Sequence, residues 1–352
     1  MKKILKTLLF IVLFVVAAFG VFLLYITLTD YQPAEVETLM PDNIKPATPL
    51  NKDTFNLITW NIGYAGLGAE MDFFYDGGKK VRPSEKMVKK YLEGIENFVK
   101  THDTVNFWLI QEVDKNSHRS YGIDEVKLVT QAKKNSIGIF AKNYDCPFVP
   151  VPLYEPMGSV EAGQMTFSQY PFSEAKRYAY PLIASWPDKL FLLDRCFILT
   201  RFPLKNGRDL VVLNTHNSAY VYDSLLRVKE LNIMKQKMLQ EYEKGNYVIA
   251  GGDWNANPPQ YKPQGNYNGH RFVPSKVKMS LKTFPPHWKW AFDASAPTNR
   301  QNYQPFVKGQ NGTTCLDYFV VSPNINVIAV KTIDLNFENS DHNPVYLKIS
   351  LK

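Results

Sequence analysis

The residues able to do chemistry in this chain share one placement. Asn61, Glu112, His216, Asp253, Asn255, Asp317, Asp341 and His342 each stand where a short apolar run stops or starts. Taken singly, each has a plain reading, such as a turn cap, a bonded core histidine or a loop amide. Together they make a set. Carboxylate and amide oxygens at the rim of one sheet suit a hard divalent cation, which takes oxygen ligands and keeps open water positions. Two histidines at the same rim supply proton transfer to or from water and stabilise charge on phosphorus-bound oxygens. These are the requirements of phosphoester hydrolysis.

The elements that must position them are β-strands. Runs at 55–60, 107–110, 135–140, 196–201, 210–213, 247–250, 318–321 and 345–349 carry the β-branched and aromatic residues of strands. Asn61 follows the first, Glu112 the second, His216 the run ending at Leu213, and Asp253 the run ending at Ala250 and two glycines. Two amphipathic stretches, 84–100 and 223–243, read as helices. In the second, Leu225, Val228, Ile233 and Met238 are expected to face a sheet. Strands outnumber helices, which suits a sheet core covered by helices. No Gly-rich phosphate loop follows the first strand, which argues against a regular doubly wound fold.

Six segments in order resemble the endonuclease/exonuclease/phosphatase superfamily of metal-dependent phosphoesterases. They are Thr59-Trp60-Asn61-Ile62-Gly63, Gln111-Glu112-Val113, Asn214-Thr215-His216, Gly252-Asp253-Trp254-Asn255-Ala256, Leu316-Asp317-Tyr318 and Ser340-Asp341-His342-Asn343-Pro344. The resemblance implies an α/β fold, a four-layer sandwich of two packed β-sheets flanked by helices. It implies Glu112, Asn61 and Asp341 on the metal side. It implies His216, Asp253, Asn255, Asp317 and His342 as the catalytic set, with Asp317 orienting His342. The cofactor it implies is Mg2+, with Mn2+ and Ca2+ as alternatives. The mechanism it implies is in-line attack of water, with no cysteine or serine nucleophile. Many relatives carry a basic residue where this chain has Gln169.

The first residues set the compartment. Lys2, Lys3 and Lys6 precede an uncharged apolar run from Leu8 to Leu28, about the length that crosses a bilayer. No small-x-small cleavage site closes it, so residues 1–29 are expected to be a signal-anchor transmembrane helix. The flanking lysines place the N-terminus in the cytoplasm and the rest outside, at the cell membrane. Cleavage would make the protein secreted. Residues 30–54 read as a linker and 55–352 as one catalytic domain. The net charge of +8 suits an anionic substrate or an anionic membrane surface. Cys146, Cys196 and Cys315 form no close pair and read as buried thiols.

Substrate class falls to the loops. The segment 71–80 carries Phe73, Phe74, Tyr75, Lys79 and Lys80 beside the expected cleft, and Trp288 and Trp290 flank Lys289. The tryptophans fit either a membrane interface or a packed strand. Arg195, just before a strand, fits either a phosphate contact or a surface ion pair. Asp293 is expected to be structural. His102, His118, His270 and His287 have no evident partner. A phosphoester is thus the expected partner. Nonspecific nuclease action leads, since basic and aromatic residues hold single strands. A membrane-surface lipid phosphodiesterase of the sphingomyelinase-like kind and an inositol-phosphate phosphatase are the alternatives. A non-catalytic binding domain is the reading from another class. No obligate protein partner is evident.

Overall fold

A computed structural model describes residues 1–41, 46–219, 224–263 and 278–352, with the side chains of residues 224 and 225 outside the description. Four helices are described: α1 (Lys2–Leu28), α2 (Glu85–Thr101), α3 (Glu125–Ala132) and α4 (Ser224–Glu243). The strands in chain order begin with β1 (Val36–Thr38), β2 (Thr54–Asn61), β3 (Phe107–Asp114), β4 (Ile137–Val149) and β5 (Gly158–Ser168). There follow β6 (Glu174–Ala179), β7 (Cys196–Pro203), β8 (Asp209–His216), β9 (Tyr247–Asp253) and β10 (Lys289–Ala291). The last are β11 (Asn299–Arg300), β12 (Thr313–Thr314), β13 (Asp317–Val321), β14 (Ile325–Thr332) and β15 (Val345–Leu351).

One sheet has the order β14-β15-β2-β3-β5-β4, the other β1-β6-β7-β8-β9-β13-β10, and β11 with β12 forms a small ribbon. The central pairs β2–β3 and β8–β9 are parallel, so both carry their C-terminal ends to one rim. Strand alternation explains the layers. On one face of β2 and β3, Ile58, Trp60, Trp108 and Ile110 pack against α2 and α3. On the other, Phe55, Leu57, Phe107 and Leu109 meet Leu210, Val212 and Ile249 of the second sheet. The far face of that sheet, with Leu213, Val248 and Ala250, is covered by Met234 and Met238 of α4. Helices, sheet, sheet and helix make the expected four-layer α/β sandwich.

Some expectations shift. The strand expected over 135–140 begins at Ile137 and runs on to Val149, because Asn135 turns at φ 61°. The linker 30–54 supplies β1, which adds an edge to the second sheet along β6. In α4 the inward face differs in part: Met238 is buried as expected, beside Met234, but Val228 and Ile233 are exposed. Leu225 lies outside the described side chains. The inward face also carries Arg227, Glu230 and Glu241, all buried, and these charges hide the apolar stripe from a periodicity reading. Trp288 and Trp290 belong to the core: Trp288 stacks on Phe284, and Trp290 lies against Trp254 and Tyr318. The packed-strand alternative is the correct one. His270 lies outside the described residues. All three cysteines are buried and free.

Glu241 pins α4 to the second sheet. It accepts from Arg201 of β7 at 2.9 Å, from Asn246 at 2.9 Å and from Lys244 at 3.0 Å. Burial alone would raise its carboxyl, but the bonds from Arg201 and Lys244 outweigh that and hold it at about 2. A carboxyl depressed in the folded state contributes stability above its ordinary range near 4.5, lost as pH falls through about 2. Glu241→Gln is therefore expected to cost on the order of 2 kcal/mol at neutral pH. Urea unfolding of the solubilised protein should show the gap between variant and wild type closing as pH drops across that window.

Candidate active site

Strand register brings the site together. At the ends of the second sheet, His216 of β8 pairs with Asp253 of β9, and Asp253 pairs with Asp317 of β13. Three candidate residues thus stand side by side on adjacent strands. In the first sheet Asn61 pairs with Gln111, and the β3–β5 ladder then breaks between Ile110 and Val113. Glu112 lies in that bulge at φ 50°, which turns its side chain toward the cleft. Asp341 and His342 arrive just ahead of β15, where Ser340 donates to the Asn61 carbonyl at 2.8 Å. Gly252 is required by this packing. A Cβ there would lie 1.9 Å from the Thr215 carbonyl oxygen, and its φ is 150°.

The polar contacts form one buried network. His342 Nδ1 lies 2.7 Å from Asp317 Oδ2, and Nε2 lies 3.8 Å from Asp253 Oδ2. Burial works against a charged ring, but Asp317 and Asp253 outweigh it and hold His342 well above the usual imidazole range. His216 is the reverse case. Burial, reinforced by the positive charges of Arg195 and His342, holds it well below that range. Its Nε2 lies 3.5 Å from Asp253 and 3.7 Å from Glu112. The surroundings of the two histidines thereby push their titrations in opposite directions, the pattern that separates acid from base roles. Burial pushes Asp253 up to about 6, and burial with the nearby charge of Asp341 raises Glu112.

A family model described as the endonuclease/exonuclease/phosphatase family matches residues 58–342. The chain belongs to that family. Solved members share its fold. An endonuclease/exonuclease/phosphatase from Bacteroides vulgatus superposes with TM-score 0.54 at 16% identity, covering 86% of this chain and 100% of its own. One from Beutenbergia cavernae DSM 12333 gives 0.53 at 16%, covering 85% and 72%. ANGEL2, a 2',3'-cyclic phosphatase, gives 0.54 at 13%, covering 88% and 99%. No curated protein matches the chain. At such identities the likeness is one of fold, and the fold is that of a phosphoesterase family.

Within this family member, the residues singled out from sequence all lie at the one rim, though Asn61 does not sit as a free metal donor. Its amide oxygen accepts from the Gly63 N–H at 3.0 Å, and its NH2 reaches Glu112 and Asp253, each at 3.1 Å. So placed, it cross-links two carboxylates. The orientation follows from Ile62, whose ψ of 3° turns the next N–H, that of Gly63, back on the strand end. Asn255, at φ 47°, binds Asp253 through its backbone N–H at 2.9 Å and the Asn217 carbonyl through its side chain at 2.8 Å. It holds Asp253 in place.

Sequence reasoning missed a second tier. Asn302 donates to Asp341 at 2.6 Å, and the side-chain amide of Asn299 lies 3.0 Å from His342 Nε2. Arg227 and Glu230 of α4 bind the loop beside His216: Arg227 donates to the Asn255 and Ser218 carbonyls, and Glu230 accepts from the Ser218 N–H. The cluster Asn299-Arg300-Gln301-Asn302 was the available signal, four polar residues in a row on a short ribbon. Asp293 is structural, accepting from the backbone of Ser295 and Thr332. Arg195 lines the cleft, and one of its buried terminal nitrogens has no partner among the described residues.

Asp317→Asn keeps the shape of the pair and removes the charge that holds the His342 ring protonated. We expect the His342 titration, read by NMR of metal-free protein, to move down. Phosphoester turnover is expected to fall by about 10²-fold, with melting temperature little changed.

Proposed function

We propose that the protein is a divalent-metal-dependent phosphoester hydrolase, held at a membrane by α1. The observation that carries this reading is the convergence of Glu112, His216, Asp253, Asp341 and the Asp317–His342 pair at one rim of two packed sheets.

The donor set fits a hard cation. Glu112 and Asp341 line the same cleft as carboxylates whose charges oppose each other. Asn61 and Asn302 hold them from behind. Asp253, Asp317 and His342 also bring one ligand atom each within 4.8 Å. There, however, His342 Nδ1 is committed to Asp317, which suits a proton carrier better than a ligand. A bound Mg2+ or Mn2+ would offset the negative charge that develops on the phosphoryl oxygens.

The protein's own groups do the rest. Asp253, fixed by Asn61 and Asn255, is placed to orient the attacking water and accept its proton. His342, held charged by Asp317, donates to a phosphoryl oxygen or the departing alcohol. His216, neutral, offers a hydrogen bond to a second oxygen without adding charge. Water exclusion by the buried rim strengthens each of these contacts.

α1 supports the membrane reading by length and composition: it has 27 residues and a mean hydropathy of 3.0 over its most apolar window. Full-length protein should resist extraction from membranes by alkaline carbonate. Release into the soluble fraction would contradict the anchor. Turnover of bis(p-nitrophenyl) phosphate should require Mg2+ or Mn2+ and stop on chelation. Glu112→Ala should lower it by about 10³-fold or more with an unchanged melting temperature. Activity near wild type in that variant would sink the assignment.

A further inference from the structure

The cleft at the catalytic rim does not end there. It has a volume of about 630 Å³ and runs from Glu112, His216 and His342 to the apolar helix α1. Its far wall is made by Phe19, Phe22 and Leu23 of α1, and Met157, Val149 and Phe191 of the domain also line it. Phe22 joins the two bodies, with ring centroids 6.4 Å from Phe191 and 6.2 Å from Phe148. Trp186 Nε1 donates to Thr27 Oγ1 at 3.1 Å. A channel that is polar at its catalytic end and apolar at its helix end is shaped for a ligand with the same asymmetry.

The level of that contact along α1 is informative. About 20 residues at ~1.5 Å each cross a ~30 Å hydrocarbon layer. Counted from Lys6, the span ends near Ile26, the one buried residue of α1. The contacts of the domain with Phe19, Phe22 and Leu23 therefore fall within about 10 Å of the outer edge of the layer. Exposed apolar side chains border this contact: Phe148 and Trp186, 55% exposed, touch α1, and Val151 and Leu192 line the cleft, while Leu153 and Ile183 are exposed in neighbouring stretches of the chain. Exposed apolar residues beside an apolar helix, with a Trp among them, suit a surface that lies in lipid.

The cleft is poorly provided for a polyanion. Arg119 is paired with Asp114 at 2.8 Å, and Arg300 is spent on the carbonyls of Leu67, Gly68 and Met71. Arg82 lies against Glu155 at 3.8 Å and donates to the His118 carbonyl. Among the described residues that line the cleft, Arg195 remains as one cation beside His216. One phosphate is matched, whereas a nucleic-acid track needs several.

We propose that this cleft takes the hydrocarbon portion of a phosphodiester lipid drawn from the bilayer that α1 spans, with its phosphate at the rim between Glu112, His216, His342 and Arg195. The proposal rests on the hydrolase reading above and gives it a substrate class. Cleavage adds water across one phosphoester bond. The water oxygen bonds to phosphorus, the bond from phosphorus to the leaving alcohol breaks, and the water's proton ends on that alcohol. No oxidant or co-reactant is needed.

The test uses full-length protein in vesicles of phosphatidylcholine, phosphatidylethanolamine, phosphatidylglycerol and sphingomyelin with Mg2+ or Mn2+. Plasmid DNA, inositol phosphates and bis(p-nitrophenyl) phosphate run in parallel. Leu192→Asp and Val151→Asp place a charge on exposed residues of the apolar wall. We expect metal-dependent lipid cleavage, with KM falling as the acyl chains of soluble short-chain lipids lengthen. The ratio of lipid to chromogenic-diester turnover should fall at least about tenfold in both variants. Cleavage of DNA, inositol phosphates or the chromogenic diester with vesicles inert would overturn the lipid proposal and leave the hydrolase reading standing. So would a ratio that both variants leave unchanged. No cleavage of any substrate would overturn both.

Discussion

The amide of Asn214 holds the two sheets in register, and the rim depends on that register. Its NH2 donates to the carbonyls of Ile110 and Met165 in the first sheet, and its oxygen accepts from Gln111 at 2.6 Å. The apolar core between the sheets is non-directional and tolerates sliding. A buried amide with every bond made does not, because a shift would strand its donors in a low-dielectric interior. Asn214 lies two residues before His216, and Gln111 lies next to Glu112. The tie that aligns the sheets thus also fixes the distance between a histidine on one and a carboxylate on the other.

Given that alignment, the site's electrostatics follow from burial. Glu112, Asp253, Asp317 and Asp341 crowd a rim with little water, and this arrangement is stable only with compensating positive charge. His342 supplies part of it within the fold, and the proposed cation supplies the rest. Removing water makes each charge costly and each complementary contact strong. A rim of this kind is poised for a dianionic transition state, in which both sources of positive charge are used at once.

Legibility in the sequence followed chemistry more than geometry. The strand ends could be read because an apolar run of limited length stops or starts at a polar residue, which marked Asp253, Asp317 and His342 as candidates, while their roles came from the resemblance. The sandwich itself came through the resemblance of six ordered segments. What stayed hidden was polar structure facing inward. Arg227, Glu230 and Glu241 made the buried side of α4 look like a solvent side, so Val228 and Ile233 were wrongly turned to the sheet. Asn299 and Asn302 carry no charge and lie in a loop-like run, and only their contacts to His342 and Asp341 give them meaning. The resemblance placed Asn61 on the metal side, and its bonds to Gly63, Glu112 and Asp253 add a bracing role that residue type alone does not reveal. The link between α1 and the cleft is a matter of three-dimensional proximity, since Phe22 and Phe191 are far apart in the chain.

The short edge strand β1 has a kinetic consequence. Only residues 29–35 separate the end of α1 from β1, which is fastened along β6 by the pairing of Val36 with Tyr178. Such a segment reaches at most ~25 Å even when fully extended. With α1 in a bilayer, the catalytic domain has no slack to sample bulk solution. For a substrate in the same bilayer, encounter would become a two-dimensional search, in which enzyme and substrate meet by lateral diffusion. Turnover would then follow the mole fraction of substrate in the surface rather than its amount per volume, and dilution of the surface with inert lipid would slow it even at constant total substrate.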